Sequence, residues 1–104
     1  MSKDNYYTII DVISDLQARG FVLDFSIIRS KLFCAQEQCY LGREEFDVLE
    51  MYRFHACGPA LDETVVYAIE SLSQPLKGIL LNSGWQTKAV VPPILSGKIR
   101  KFRV

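Results

Sequence analysis

Apolar residues near the start of the chain recur at the spacing of one helical face. Thr8 is a residue type that begins helices, and Asp11 follows three positions later, as in a capping box. Gly20 can take the left-handed conformation that ends a helix. The sequence therefore predicts a helix between Thr8 and Gly20. Its apolar stripe follows the i, i+3, i+4, i+7 pattern and consists of Ile9, Val12, Ile13 and Leu16.

Three later segments are rich in alternating, β-branched or aromatic residues, which predicts strands at residues 46–55, 64–70 and 77–82. Gly58–Pro59 and residues 71–75 mark the turns between them. Because these connections are short, we expect the three strands to pair as an antiparallel meander. Simple alternation along the first strand gives two sides: Phe46, Val48, Glu50, Tyr52 and Phe54, and opposite them Asp47, Leu49, Met51, Arg53 and His55.

The segment after the helix is harder to interpret. Residues 21–25 favour a strand. Residues 26–39 are ambiguous, because their apolar residues could line a short helix or could belong to a strand at residues 31–35. We favour the strand, which would end near Ala35 and be followed by a turn at residues 36–38.

The C-terminal end has a weak pattern. Pro92–Pro93 could start a short helix, since proline suits the first turn, and Gly97 would interrupt it. Residues 98–104 alternate and predict a final strand. Together the elements predict a single α+β domain over residues 1–104, with an antiparallel sheet of four or five strands and the N-terminal helix packed on one face. The helix stripe should meet Val66, Ala68, Ile79 and Leu81.

Composition limits the classes of function. A chain of 104 residues is the size of one domain. It can bury about two-thirds of its unfolded surface, so it needs neither a disulfide nor a metal to fold, and no cofactor is predicted. Twelve basic and twelve acidic residues cancel, which argues against a surface devoted to nucleic acid or membrane.

Three features bear on the compartment. Residues 1–5 are polar and do not lead into a signal-peptide-like apolar run. The candidate apolar run Ile79–Leu81 is far too short to span a bilayer. An odd count of three cysteines fits poorly with a secreted disulfide scaffold. We therefore expect a cytoplasmic protein with reduced thiols.

Four stretches of the chain have a familiar arrangement: "LQARGFVLDF", "EEFDVLEMYRF", "DETVVYAIES" and "LKGILLNSGW". Over most of its length, up to about Trp85, the chain resembles a family of small bacterial proteins of uncharacterised function. The cysteine-rich middle and the basic tail depart from that pattern. The resemblance implies a fold and no established activity.

Members of that family sometimes carry the label phosphoribosylpyrophosphate synthetase, which the residues here do not support. True synthetases are similar to a doubled phosphoribosyltransferase fold, with an acidic-pair loop ahead of a helix N-terminus that cradles the ribose phosphate. This chain has no such loop and no Gly-rich phosphate turn, and it is too short for that architecture.

Cysteine and histidine residues suggest a metal site. Cys34, Cys39, His55 and Cys57 are the right types for tetrahedral zinc, although four residues between Cys34 and Cys39 make a looser pair than the common knuckle. Ordinary free cysteines are the favoured alternative. A Cys57 thiol activated by His55 or Arg53 would lack a third, orienting residue, so no catalytic residue is predicted.

A binding pocket is the second hypothesis. An arginine within a strand must be paired or must face a pocket, which draws attention to Arg53. Aromatic residues nearby could form apolar walls. A structural ion pair on a half-exposed sheet is the favoured alternative. The predicted ligand-binding residues are Glu50, Tyr52, Arg53, His55 and Trp85.

Charge is distributed unevenly along the chain. Residues 44–50 are acidic and residues 98–103 are basic, so one copy could attract another. A small sheet also leaves edge strands, and closed two-fold dimers are the commonest oligomers. We therefore predict a homodimer. The leading function is a cytoplasmic, non-enzymatic interaction or regulatory module. The alternative is a small-molecule or metal-binding protein that uses Arg53, His55 and the cysteines.

Overall fold

The computed structural model describes residues 8–55, 63–84, 92–98 and 102–103. The described residues form one helix, two short 3-10 helices and seven strands. In chain order, these are α1 (Ile9–Ala18), β1 (Leu23–Ile28), β2 (Lys31–Cys34), β3 (Cys39–Leu41), a 3-10 helix (Arg43–Glu45), β4 (Phe46–His55), β5 (Glu63–Ser71), β6 (Lys77–Gly84), a second 3-10 helix (Pro93–Leu95) and β7 (Phe102–Arg103).

The predicted helix is confirmed, together with the signals at its two ends. The Thr8 hydroxyl accepts a hydrogen bond from the Asp11 amide at 3.1 Å, and the Asp11 carboxylate accepts one from the Thr8 amide at 3.1 Å. Gly20 has a φ of 102°, which a residue with a side chain rarely adopts. The Phe21 amide then donates to the Leu16 carbonyl at 2.9 Å, which closes a Schellman motif.

The sheet has the strand order β3-β2-β1-β6-β5-β4-β7. The predicted α+β class is confirmed, and the meander β4-β5-β6 is antiparallel, as expected, but the sheet is larger than four or five strands and is not purely antiparallel. The described sheet has seven strands, and it is mixed because β1 runs parallel to β6 and β7 runs parallel to β4. Turn residues reveal pairing between neighbours in sequence, whereas these two contacts join strands far apart in the chain.

The segment after the helix forms two hairpins. Its prediction as a strand rather than a helix is confirmed by β2, and the turn at residues 36–38 is present. Arg29 and Ser30 connect β1 to β2, with φ values of 52° and 63°. Two consecutive positive φ values are the signature of the tight turn that matches the twist of paired strands. This turn replaces the alternative short helix.

A bulge in β4 changes which side chains share a face. Val48 pairs with Ile69, but the next pair in register is Glu50 with Ala68, so Leu49 is an extra residue. The simple alternation predicted for residues 46–55 therefore holds through Leu49 and is wrong from Glu50 onward. Phe46, Val48 and Met51 lie on one face of the sheet, whereas Glu50, Tyr52 and Phe54 lie on the other.

Two apolar cores lie on the two faces of the sheet. The helix-side core is where α1 packs on β5 and β6, and the expected contacts with Val66, Ala68 and Ile79 are confirmed. Leu81, the fourth expected contact, is 51% exposed instead. The buried residues of the helix-side core are Val12, Leu16, Phe21, Tyr52, Val66, Ala68 and Ile79. Those of the far-side core are Phe25, Leu32, Cys34, Leu41, Phe46, Val48, Met51, Val65, Tyr67, Ile69, Leu80, Ile94 and Leu95.

The C-terminal segment packs against the far-side core. Ile94 and Leu95 of the second 3-10 helix are buried there. Arg43 Nη1 donates to the carbonyls of Pro93 and Ile94, each at 3.2 Å. Within the predicted final strand, the described residues 102–103 form β7, which pairs with β4. Among the described residues, no helix is long and apolar enough to cross a membrane.

Candidate functional site

The residues predicted to bind a ligand do not share one face of the sheet. Glu50 and Tyr52 lie on the side that α1 covers. Arg53 follows in regular register with β5, so its side chain points to the opposite side. Only the backbone of His55 is described, as the end of β4, and Trp85 lies outside the described residues. Glu50 and Tyr52 therefore do not line a pocket around Arg53.

Glu50 instead anchors the helix to the sheet. Its buried carboxylate accepts hydrogen bonds from Arg19 Nη1 at 2.9 Å and Arg19 Nη2 at 2.8 Å. The hydroxyl of Tyr52 also donates to this carboxylate, and Arg19 Nε donates to Asp15 at 3.1 Å. The hydrogen bond with Glu50 raises the pKa of Arg19, so the guanidinium stays charged. Because the buried Glu50 carboxylate is bound by Arg19 and Tyr52, the cluster has a structural role: it holds the end of α1 against β4.

Two of the four predicted metal ligands come together. Cys34 and Cys39 are directly opposite each other in the β2–β3 pair, and both are free thiols. His55 lies in β4, and three strands separate β4 from β2. Cys57 lies outside the described residues. In the described ranges, no group of three or more His, Cys, Asp or Glu residues could hold a metal ion.

The strands β1, β2 and β3 have one face that no described element covers. Their far-side residues, such as Phe25, Leu32 and Leu41, are buried. The alternate residues point to the helix side, but α1 packs over β5 and β6 and does not extend across β1 to β3. We call this surface the uncovered face. Its side chains are Asp24, Ser26, Ile28, Lys31, Phe33 and Tyr40, with Leu81 of β6 at its border.

Two aromatic side chains form the middle of the uncovered face. Phe33 and Tyr40 are opposite each other in register, and their ring centroids are 4.9 Å apart at an angle of 47°. Tyr40 is 49% exposed. Tyrosine and phenylalanine are enriched at protein interfaces, because they bury a large area with few rotatable bonds. An exposed tyrosine packed on a half-buried phenylalanine, on a face that no described element covers, indicates a contact surface.

Opposite charges flank the aromatic pair. Asp24 lies toward the start of β1 and Lys31 lies at the start of β2, so they are on opposite sides of the row formed by Ser26, Phe33 and Tyr40. Gln36 positions the acidic end: its amide nitrogen donates to the Asp24 carboxylate at 2.9 Å, and its amide oxygen accepts from the Asp24 backbone at 3.1 Å.

A shallow groove continues the uncovered face toward α1. It has a volume of about 220 Å³. Pockets for small organic ligands are usually larger, roughly 300 to 1,000 Å³, and mostly apolar. We therefore treat the groove as part of the surface and not as a small-molecule site. Its lining residues are Ile13, Gln17, Asp24, Phe25, Ile79 and Leu81.

Comparisons with known proteins leave this surface as the main indication of function. No family model, no curated protein and no solved structure matches the chain. The resemblance to the small bacterial family therefore stays a prediction, as do ligand binding at Arg53 and a role for the cysteines in binding metal.

Sequence reasoning missed Phe33 and Tyr40 as candidate residues. Their signal was present but indirect. Residues 31–35 alternate, and once the turn at residues 36–38 fixes the register of β2 with β3, Phe33 and Tyr40 must share a face. Which face stays uncovered depends on where α1 packs, and residues 26–39 carry no information about that.

Proposed function

We propose that this protein is a cytoplasmic, non-enzymatic interaction module that forms a homodimer through the uncovered face. The observation that supports this most directly is the Phe33–Tyr40 ring pair, in which Tyr40 is 49% exposed, on a part of the sheet that no described element covers. Apolar surface of this kind is stabilised when a partner excludes water from it.

The arrangement of charge favours a second copy as the partner. In a two-fold dimer with its axis along the Phe33–Tyr40 row, each Asp24 would face Lys31 of the other copy, because the two residues lie on opposite sides of that row. The same contact would occur twice. The two aromatic pairs would then pack against each other at the centre, where water is excluded.

The described contacts argue against the charged segments that the sequence first suggested as the interface. Lys98 Nζ lies 3.9 Å from Asp47 Oδ1 within one chain, and both side chains are only 16% exposed. The backbone of β7 lies along β4 in the same chain. These contacts already use part of the acidic stretch and the basic tail. We therefore relocate the proposed interface to the uncovered face.

Charge reversal at the flanking residues tests the proposal. Asp24→Lys or Lys31→Asp alone would place like charges at two symmetric positions, and each should raise the dimer dissociation constant about ten-fold. The double variant Asp24→Lys/Lys31→Asp should restore association, because every pair is again of opposite sign. The dissociation constants would be measured by light scattering over a range of concentrations.

Glu44→Lys is the matched control, since Glu44 is an exposed residue of the 3-10 helix of residues 43–45 and is not one of the side chains of the uncovered face. It should leave association unchanged. A wild-type chain that stays monomeric at every concentration would refute the proposal. A dimer that both single variants leave intact would place the interface elsewhere.

A further inference from the structure

The two cysteines of the β2–β3 hairpin are placed for reaction with each other. Cys34 and Cys39 are direct partners in an antiparallel pair. Residues in that relation have Cα atoms roughly 4.5 to 5.5 Å apart, which lies inside the range of roughly 4.4 to 6.8 Å that a disulfide requires. We propose that Cys34 and Cys39 form a reversible redox site, oxidised to a disulfide by small-molecule disulfides of the glutathione type. This inference is independent of self-association.

The two thiols differ in access, which sets the order of the reaction. Cys34 is fully buried in the far-side core, and its Sγ lies 3.8 Å from Gln36 Oε1. Cys39 is half-buried at the border of the same core. An oxidant from solvent therefore reaches Cys39 first, and Cys34 is the resolving thiol behind it.

The steps balance as two thiol–disulfide exchanges. The Cys39 thiolate attacks one sulfur of the oxidant, whose S–S bond breaks and releases one thiolate, which takes up a proton. The Cys34 thiol then loses its proton and attacks the Cys39 sulfur, which releases the second small thiol. Two protein thiols are oxidised, and one small disulfide is reduced to two thiols.

Backbone register also predicts that the disulfide is easily reduced. Opposite residues in a sheet keep their Cβ atoms roughly 4.5 to 5.5 Å apart, whereas a relaxed disulfide has them roughly 3.5 to 4.5 Å apart. Closing the bond must pull β2 and β3 together, and the resulting strain favours reduction. Disulfides are rare in reducing compartments, and those that do form there are usually transient, as an easily reduced bond would be.

The surroundings of Cys39 restrain the reaction at neutral pH. Burial raises the pKa of the Cys39 thiol, and electrostatic repulsion between a Cys39 thiolate and the ionised forms of Cys34, Glu37 and Glu45 raises it further. Since only the thiolate attacks a disulfide, oxidation should be slow at neutral pH and should accelerate as the pH rises.

Proteolysis of the intact chain gives a direct readout. Trypsin cleaves after Lys31 and Arg43, so residues 32–43 form one peptide that contains both cysteines, while Cys57 falls in residues 54–77. Folded protein would be equilibrated in glutathione buffers of increasing oxidised fraction, quenched with acid, alkylated and digested. The masses of the two peptides then report which cysteine reacted.

We expect residues 32–43 to lose both alkylatable thiols together as an internal disulfide. This species should exceed the glutathione adduct by at least about ten-fold, because the paired thiol is at higher effective concentration than millimolar glutathione. Cys34→Ala should convert Cys39 to the glutathione adduct. Cys39→Ser should leave Cys34 unreacted in the folded chain, because it is buried. Reduced glutathione should reverse the wild-type reaction.

Three results with the wild-type protein would each overturn the proposal. Because they need no variant, the proposal can be tested even if Cys34→Ala or Cys39→Ser fails to fold. The first is that residues 32–43 keep both thiols at oxidised fractions that modify Cys57. The second is two glutathione adducts on that peptide. The third is a link between residues 32–43 and residues 54–77.

Discussion

At the scale of single residues, buried charge and thiol chemistry depend on a few close neighbours. The buried Glu50 carboxylate accepts hydrogen bonds from Arg19 and Tyr52, which compensate for the cost of burying its charge. The sequence singled out Glu50 and Tyr52 as ligand-binding candidates, but it gave no indication that Arg19, from the end of α1, would be the partner. That pairing depends on the bulge at Leu49, which turns Glu50 toward the helix.

Replacing Glu50 should destabilise the fold. In Glu50→Ala, Arg19 and Tyr52 lose their acceptor, and we expect a loss of about 1 to 3 kcal/mol in the free energy of unfolding. This lies below the range for a fully buried pair, because the Arg19 side chain is 41% exposed. Urea unfolding monitored by circular dichroism measures the loss.

Asp15→Asn is the matched control, since it removes an acidic partner of the same arginine at a site where both side chains are about 40% exposed. The expected loss is about 0.5 kcal/mol or less. Equal losses for the two variants would show that Glu50 is not the anchor of α1.

The Cys39 thiol should titrate above the range of an unfolded thiol. Burial, Cys34, Glu37 and Glu45 all favour its neutral form, so its alkylation rate should rise at higher pH in folded protein than in urea. By linkage, the stabilisation from this group is complete below the unfolded pKa and is lost as the pH rises through the folded pKa. Rates of iodoacetamide alkylation of residues 32–43 would test this. Coincident pH profiles would contradict it.

At the scale of elements, the sequence was sufficient to predict structure that depends on local signals. It was not sufficient to predict contacts between strands far apart in the chain. The capping residues Thr8 and Gly20 predicted α1, and turn residues predicted the β4-β5-β6 meander, because both signals act within a few residues. The parallel contact of β1 with β6 has no local signal. It depends on Gly78, where a Cβ would overlap the Leu23 carbonyl oxygen and the ring of Phe25.

Gly78→Ala should disrupt the contact between β1 and β6. The added methyl meets backbone that cannot move aside alone, so we expect a loss of about 1 to 3 kcal/mol from overpacking. Gly42→Ala is the control, because the nearest neighbour there is the flexible end of Glu45 at 3.3 Å. Thermal unfolding of the two variants would separate them. Similar midpoints would mean that β1 can shift to accept the methyl group.

The turn between β1 and β2 gives an opposite expectation. Ser30 has a φ of 63°, which costs about 1 kcal/mol for a residue with a side chain, so Ser30→Gly should raise the unfolding midpoint. Ser26→Gly, in the extended backbone of β1, should lower the unfolding midpoint, because it reduces the free energy of unfolding by about 0.5 to 1 kcal/mol. Both effects in the same direction would refute the assignment of this turn.

At the scale of the whole molecule, the asymmetry of the sheet is the main feature. One face carries the far-side core, whose buried residues run from β1 to β6, while α1 packs on the other face over β5 and β6. The predicted α+β class required only one amphipathic helix and several strands. How many strands a ten-residue helix leaves uncovered could not be predicted without the strand order.

Loss of the central ring should abolish association and spare the fold. In Tyr40→Ser, the proposed dimer would lose a buried aromatic at its centre, and its dissociation constant should rise ten-fold or more, by roughly 1.4 kcal/mol or above. Leu72→Ser is the control, since Leu72 is 57% exposed, against 49% for Tyr40, but lies in the turn before β6. Light scattering gives the dissociation constants. Equal dissociation constants for the two variants would exclude Tyr40 from the interface.

The parallel contact between β1 and β6 also affects how the chain folds during its synthesis. Leu23 pairs with Gly78, so the first hairpins emerge from a ribosome long before their partner strand exists. Until then, the β1 backbone that will bond to β6 is an open template for other nascent chains. We expect the non-local pairing to make folding slow for a domain of this size, and chains halted before residue 77 to aggregate or recruit chaperones.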